Sequence, residues 1–365
     1  MRPPIAFVSV FVSVLVSVAM ATVGLSPARA DGGSDPLRAA QWNLDMIHAE
    51  DAWTEATGRD AVIAVIDTGV AGWHEDLAAK IVDPAGFWCG DLVPSEEPCT
   101  DPAFWSFGGH GSHVAGIAAA VTGNGKGIAG VAPDASIMPV RVVDSDTVLD
   151  LVVIERGIRY ATAKGADVIS ISLGWLPGVT NVAGNMDGVA LALKDALDAG
   201  VAVALAAGNE FSPLCSNEYV VDGVSVDHAL EGALCVGAVG PTASPFSTGG
   251  NRPFYSNFGA GVDVFAPGGS GAGCGTSVVS TGGGSSCGYD GGDDYYGEIS
   301  GTSMATPHVA GVLALLAEQG VHGRAAGARV KATATRWGLV GQTTGGIDPE
   351  FGWGILDAAA AVQSP

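Results

Sequence analysis

Positive charge is scarce in this 365-residue chain: 16 Lys and Arg stand against 38 Asp and Glu, a formal charge of −22. Phosphate-driven association needs clustered cations, so this balance excludes nucleic acid and anionic membrane surfaces as partners. Acidity of this degree suits a protein that stays soluble outside the cell and holds a hard cation such as calcium. Charged residues make up only 15% of the chain and hydrophobic ones 47%, so it is not disordered and can bury a large core. No Cys-x-x-Cys occurs among the six cysteines, which removes the usual mark of a zinc or redox site. Internal repeats and interdomain linkers are lacking as well. Beyond the first thirty residues no apolar run is long enough to span a bilayer, so no membrane anchor is expected.

What is present begins with an export signal. Met1-Arg2 supplies a positive end, Ile5 to Val23 an apolar run broken by serines, and Ala28-Arg29-Ala30 a small-x-small cleavage site. Residues 1–30 are therefore expected to be removed, leaving 31–365 as one secreted, extracellular domain that acts as a monomer. Six cysteines in an exported chain suggest disulfides. Short separations favour Cys89 with Cys99, Cys215 with Cys235 and Cys274 with Cys287, although sequence alone does not choose among the possible pairings.

Short Val-, Ile- and Ala-rich runs alternate with longer helical patterns, which predicts an α/β domain: a mostly parallel central sheet with helices on both faces. Strands are expected at Ala61 to Ile66, Ile137 to Val142, Asp167 to Leu173, Val201 to Leu205 and Ala233 to Val236. Helices are expected at Ser112 to Ala120, Val148 to Ala163, Met186 to Asp198 and Thr302 to Gln319. Asp83 to Gly109 and Pro241 to Ser300 are rich in Gly, Pro, Ser and Asp and read as surface loops and short strands.

Ligands of such sheets bind beyond the carboxyl ends of the strands. Asp67 closes one apolar run and Asn209 another, while His110 and Ser303 stand in Gly-flanked turns just before helical patterns. Amide hydrolysis needs a nucleophile, a base, a group that orients the base, and donors for the oxyanion. Ser303, His110 and Asp67 fit the first three roles, and the Asn209 amide with the Ser303 backbone N–H fits the last. An aspartic protease would need a second Asp-Thr/Ser-Gly beside Asp67-Thr68-Gly69, and there is none.

Three segments resemble the active-site blocks of subtilisin-like serine proteases: Ala64-Val65-Ile66-Asp67-Thr68-Gly69-Val70, His110-Gly111-Ser112-His113-Val114-Ala115-Gly116 and Gly301-Thr302-Ser303-Met304-Ala305-Thr306-Pro307-His308-Val309-Ala310-Gly311. Their Asp, His, Ser order matches that family too. The resemblance runs from about Gln41 to Val362 and implies a triad of Asp67, His110 and Ser303 with Asn209 as oxyanion donor. It implies no cofactor for catalysis and protein or peptide substrates. Their backbone would pair with Ser172, Leu173 and Gly174, and Ala206, Ala207 and Gly208 would wall the pocket for the residue before the scissile bond. Ser112 stands where the family usually has Thr; the hydroxyl is kept.

Asp35-Pro36, His74-Glu75-Asp76-Leu77 and Thr122-Gly123-Asn124-Gly125 resemble the strong calcium site of the thermitase branch of that family. The implied ligands are Asp35, Asp76 and Asn124 with carbonyls of the loop from Val121 through Lys126 to Ile128. Asp290, Asp293 and Asp294 are a candidate second site. Secreted relatives carry a folding domain ahead of the protease, but only Asp31 to Ala40 separates the cleavage site from Gln41-Trp42-Asn43-Leu44. The expectation is that calcium and disulfides substitute for it. Alternative readings are an inactive binding protein on this scaffold and a processing protease of narrow specificity.

Overall fold

A computed structural model describes residues 34–88, 95–101, 109–143, 150–173, 186–213, 215, 220–221, 224–225, 231–241, 251–259, 261–271, 273–282, 295–335 and 347–364. The expected signal peptide, Gly174, Cys89, Cys287 and the Asp290 to Asp294 loop lie outside these residues. The strands are β1 (Val62–Asp67), β2 (Ala85–Gly86), β3 (Ser136–Arg141), β4 (Val168–Ile171), β5 (Ala202–Ala206), β6 (Val220–Val221), β7 (Val224–Ser225), β8 (Leu234–Val239), β9 (Val264–Pro267), β10 (Val278–Thr281) and β11 (Tyr296–Ile299). Seven of them form one sheet in the order β2-β3-β1-β4-β5-β8-β9, every pairing parallel.

Alternation along each strand builds the two layers. Ile63 and Val65 of β1 face a core shared with the helices α3 (Gly109–Ala119) and α6 (Thr302–Glu318), named here in chain order. Ala64 and Ile66 face the opposite core, formed with α4 (Leu151–Ala163) and α5 (Met186–Asp198). β5 divides in the same way, Ala202 and Ala204 against Val203 and Leu205. Successive side chains of a strand point to opposite faces, so near-continuous apolar runs are what a sheet covered on both sides requires. The remaining helices, α1 (Trp42–Met46), α2 (Ala49–Ala52), α7 (Gly323–Thr333) and α8 (Ala358–Gln363), pack around the first core.

α6 is buried almost all round, from Thr302 to Leu316 apart from Ser303. At its far end the Glu318 carboxylate accepts from the backbone N–H of Thr57 and Gly58 at 2.6 and 2.7 Å, on the loop that feeds β1. Two segments differ from expectation. β9 is one of the short strands expected between Pro241 and Ser300, but it completes the central sheet instead of lying at the surface; Val264, Phe265 and Ala266 are fully buried, and flanking Gly, Pro and Asp mask so short a run in the sequence. α3 starts ahead of Ser112, so His110 sits within its first turn rather than before it. Cys215 and Cys235 form a disulfide, as the sequential pairing expects, and Cys99 and Cys274 are also disulfide-bonded.

Candidate active site

β1 delivers Asp67 to the carboxyl rim of the sheet, where it is fully buried. Its Oδ1 accepts from the Thr68 N–H at 2.7 Å and meets His110 Nδ1 at 2.7 Å. Oδ2 is buried and, among the described residues, has no hydrogen-bond partner. An ionised carboxylate so placed is short of compensation, and the imidazole is the group positioned to supply it. Packing between the turn after β1 and α3 holds the pair. Gly111 N–H donates to Thr68 Oγ1 at 3.0 Å, and a Cβ on Gly111 would lie 2.3 Å from the Gly69 carbonyl oxygen, so no larger residue fits there. Ser112 Oγ accepts from Ala71 N–H at 2.8 Å, the use to which this chain puts the hydroxyl at that position.

The His110 side chain is 33% exposed. Burial pulls its pKa down, but the charge of Asp67 and the hydrogen bond to it outweigh burial, and the net shift is upward from the ordinary 6.5. Bonded through Nδ1, the neutral ring carries its lone pair on Nε2, which is the tautomer a general base needs.

Ser303 is the second residue of α6. Its hydroxyl donates to the Ser172 carbonyl at 2.9 Å, and Ser172 Oγ donates back to the Ser303 carbonyl at 2.8 Å. The second bond has a cause in the sequence. Pro307 stands four residues on and has no N–H to give the Ser303 carbonyl, so the acceptor left open by the helix is filled from β4's end. Ser172 is buried, and so is Leu173 after it.

At the end of β5 the buried residues Ala206 and Ala207 lead to Gly208, whose φ of +106° suits only glycine, and then to Asn209. Asn209 Oδ1 accepts from the Thr302 N–H at 2.9 Å and the Thr302 hydroxyl at 3.1 Å; that hydroxyl accepts from Gly208 N–H at 3.1 Å. With its oxygen committed to Thr302, the amide nitrogen is left to donate elsewhere. A point one Cβ length from Gly301 lies 3.7 Å from Ser303 N and 3.8 Å from Asn209 Nδ2, so both donors border the same space. The buried histidines of the two helices are structural. His113 Nε2 meets the carbonyls of Val278 and Gly297 at 3.0 and 3.2 Å, and His308 bridges the Met304 carbonyl and the Asn43 amide, each contact at 2.8 Å.

The expected cation ligands also converge. Asp35 and Asp76 are buried. Asp35 accepts from Gly123 and Gly125 N–H at 2.8 and 3.1 Å; Asp76 accepts from the Asn124 amide at 2.8 Å, Ile128 N–H at 3.0 Å and Tyr296 OH at 2.9 Å. Desolvation, abetted by the charge of Asp76, raises the pKa of Asp35 despite the backbone N–H groups. Among the described residues neither carboxylate has a cationic side chain beside it, since Lys126 pairs with Glu75 at 2.7 Å. No group of three or more His, Cys, Asp or Glu forms a metal cluster among those residues. A cation here would draw on two carboxylates, one amide and backbone carbonyls.

Sequence reasoning missed the supports: Thr302 behind Asn209, Tyr296 beside Asp76, and Asn257 beneath the Asn209 loop. None has a local signature, because each acts across a long sequence separation.

Residues 58–354 match the Subtilase family. Thermitase from Thermoactinomyces vulgaris is 37% identical over 286 residues, covering 77% of this chain and 83% of thermitase. The extracellular protease of Xanthomonas campestris is 33% identical over 367 residues, covering 91% of this chain but 57% of that longer protein. Among solved structures, that of proteases from Pseudoalteromonas arctica matches with a TM-score of 0.67 and 30% identity over 90% of this chain and 98% of that one.

Proposed function

Since the chain belongs to the subtilase family and is a serine endopeptidase, we propose that Asp67, His110 and Ser303 are its triad, with Asn209 and the Ser303 N–H as oxyanion donors. The observation that carries this reading is the 2.7 Å contact of His110 with buried Asp67 on the rim that also holds Ser303. The Ser303 hydroxyl turns from the Ser172 carbonyl to His110 Nε2, a rearrangement in keeping with the looseness of catalytic hydrogen bonds before substrate binds. Its oxygen attacks the scissile carbonyl carbon while Nε2 takes the proton. The carbonyl oxygen becomes an oxyanion facing Asn209 Nδ2 and Ser303 N–H at the positive end of α6. Collapse breaks the C–N bond, and His110 returns the proton to the leaving amine. Water, deprotonated by the same ring, then cleaves the acyl ester and restores Ser303.

Substrate backbone pairs as an added strand with Ser172, Leu173 and Gly174, and Ala206 to Gly208 wall the pocket for the residue before the cut. Catalysis takes no cofactor. A calcium ion held by Asp35, Asp76, Asn124 and the carbonyls of Val121, Lys126 and Ile128 would neutralise two buried carboxylates and fix the chain's first described segment. Export of the protein to the medium is supported by the signal-like sequence of residues 1–30 and the name of the Xanthomonas relative. The test is Ser303→Ala: turnover of a peptide substrate should fall by about 10⁶, and labelling by a serine-reactive phosphonate should vanish. Full activity in that variant would sink the assignment, and an unlabelled wild-type protein would favour an inactive scaffold.

A further inference from the structure

The segment that carries Asn209 holds a shape it would not keep alone. Phe211, two residues on, has φ of +54°, a left-handed conformation that a residue with a side chain rarely adopts unless its surroundings hold it there. Asn257, 1% exposed, grips this segment from below. Its Oδ1 accepts from the N–H of Glu210 and Ser212 at 3.1 and 2.9 Å. Its Nδ2 donates to the Ala207 carbonyl and to Glu210 Oε2, both at 2.8 Å. Its own N–H donates to the Gly208 carbonyl at 3.1 Å. The amide's two donors and two acceptor positions are all used, on both sides of Asn209, and this set of partners fixes which atom is oxygen.

We propose that Asn257 is the positioning residue of the oxyanion donor: by bracketing residues 207–212 it sets the place from which the Asn209 amide reaches the developing charge. Thr302 holds the oxygen end of Asn209 and, through its hydroxyl, the Gly208 N–H, whereas Asn257 holds the backbone on both sides of Asn209, at Ala207, Gly208, Glu210 and Ser212. A site of this kind tolerates misplacement of roughly 0.5 Å, and losing one donor costs about 10²–10³ in kcat. The proposal rests on the role given to Asn209, and the experiment separates the two.

Asn209→Ala, Asn257→Ser and the double variant are compared for kcat and KM on a peptide anilide. Asn257→Ser should lower kcat by about 10- to 100-fold with KM within a factor of about three. In the Asn209→Ala background the same change should cost less than about threefold, because the donor it positions is already gone. Equal losses in both backgrounds would mark a purely structural residue and overturn the proposal. Wild-type kcat in Asn209→Ala would overturn the oxyanion role itself, and the proposal with it. Should Asn257→Ser not fold, Asn257→Asp with Glu210→Gln keeps the acceptor atoms, removes the donation to Ala207 and avoids two facing carboxylates. Unchanged kcat in that variant would equally overturn the idea.

Discussion

Asp67 and His110 illustrate how one charge sets a working pH. Asp67 raises the pKa of His110 against the pull of burial, and a general base must be neutral to act. With His110 as the proposed base, activity should therefore be lost on acidification through a pKa above the ordinary 6.5. Asp67→Asn removes the charge and leaves burial unopposed, so the acid limb of the kcat/KM profile should move to lower pH while kcat falls by about 10⁴. A pH–rate series on both proteins checks this; an acid limb that stays in place would show that Asp67 does not govern His110. At this scale the sequence offers candidates where chemistry demands a residue type. Asp67, His110, Ser303 and Asn209 stand out because acid, base, nucleophile and amide at strand and helix ends have few other uses. Asn257 does not stand out, since an Asn in a Gly- and Pro-rich stretch reads as an ordinary turn former until the fold brings it under Asn209.

Among the elements, those buried on both faces could be read directly: β1, β3, β4, β5, β8 and α4 to α6 fall within a few residues of their apolar runs, because a covered sheet leaves nothing polar to blur the pattern. β9 and the true start of α3 were hidden by glycine and by polar site residues, which local propensity assigns to loops. The loop of residues 121–128 is a third case, in which turn chemistry and ligand chemistry look alike. The calcium site proposed there would give it a purpose beyond turning, since two buried carboxylates without a cationic neighbour among the described residues favour a cation that neutralises them. Calcium at about 100 times its dissociation constant would add about 2.7 kcal/mol to stability. Chelation by EDTA should thus lower the Tm by roughly 4 °C for a chain of this size. An unchanged Tm in a protein found free of metal by atomic absorption would refute the site.

For the molecule as a whole, acid is the expected weak point. His113 and His308 are fully buried, and burial pushes their pKa down to about 3 and about 4. Unfolded, both take up protons near pH 6.5; folded, they do not until much lower pH. The unfolded state therefore binds more protons below about pH 6.5, and stability falls with pH from there to about 4, by several kcal/mol for the two together. Urea unfolding at stepped pH should show this decline, and His308→Gln should flatten part of it; a pH-independent midpoint from 6.5 to 4 would contradict it. α6 adds a different constraint. Its first turn carries Ser303, nearly every residue is buried, and Glu318 ties its last turn to the loop that feeds β1. Such a helix cannot fray on its own, so its amide protons exchange with solvent only when the entire domain opens. The proposed nucleophile thus belongs to the last cooperative unit to melt, so heat inactivation and global unfolding should be one event.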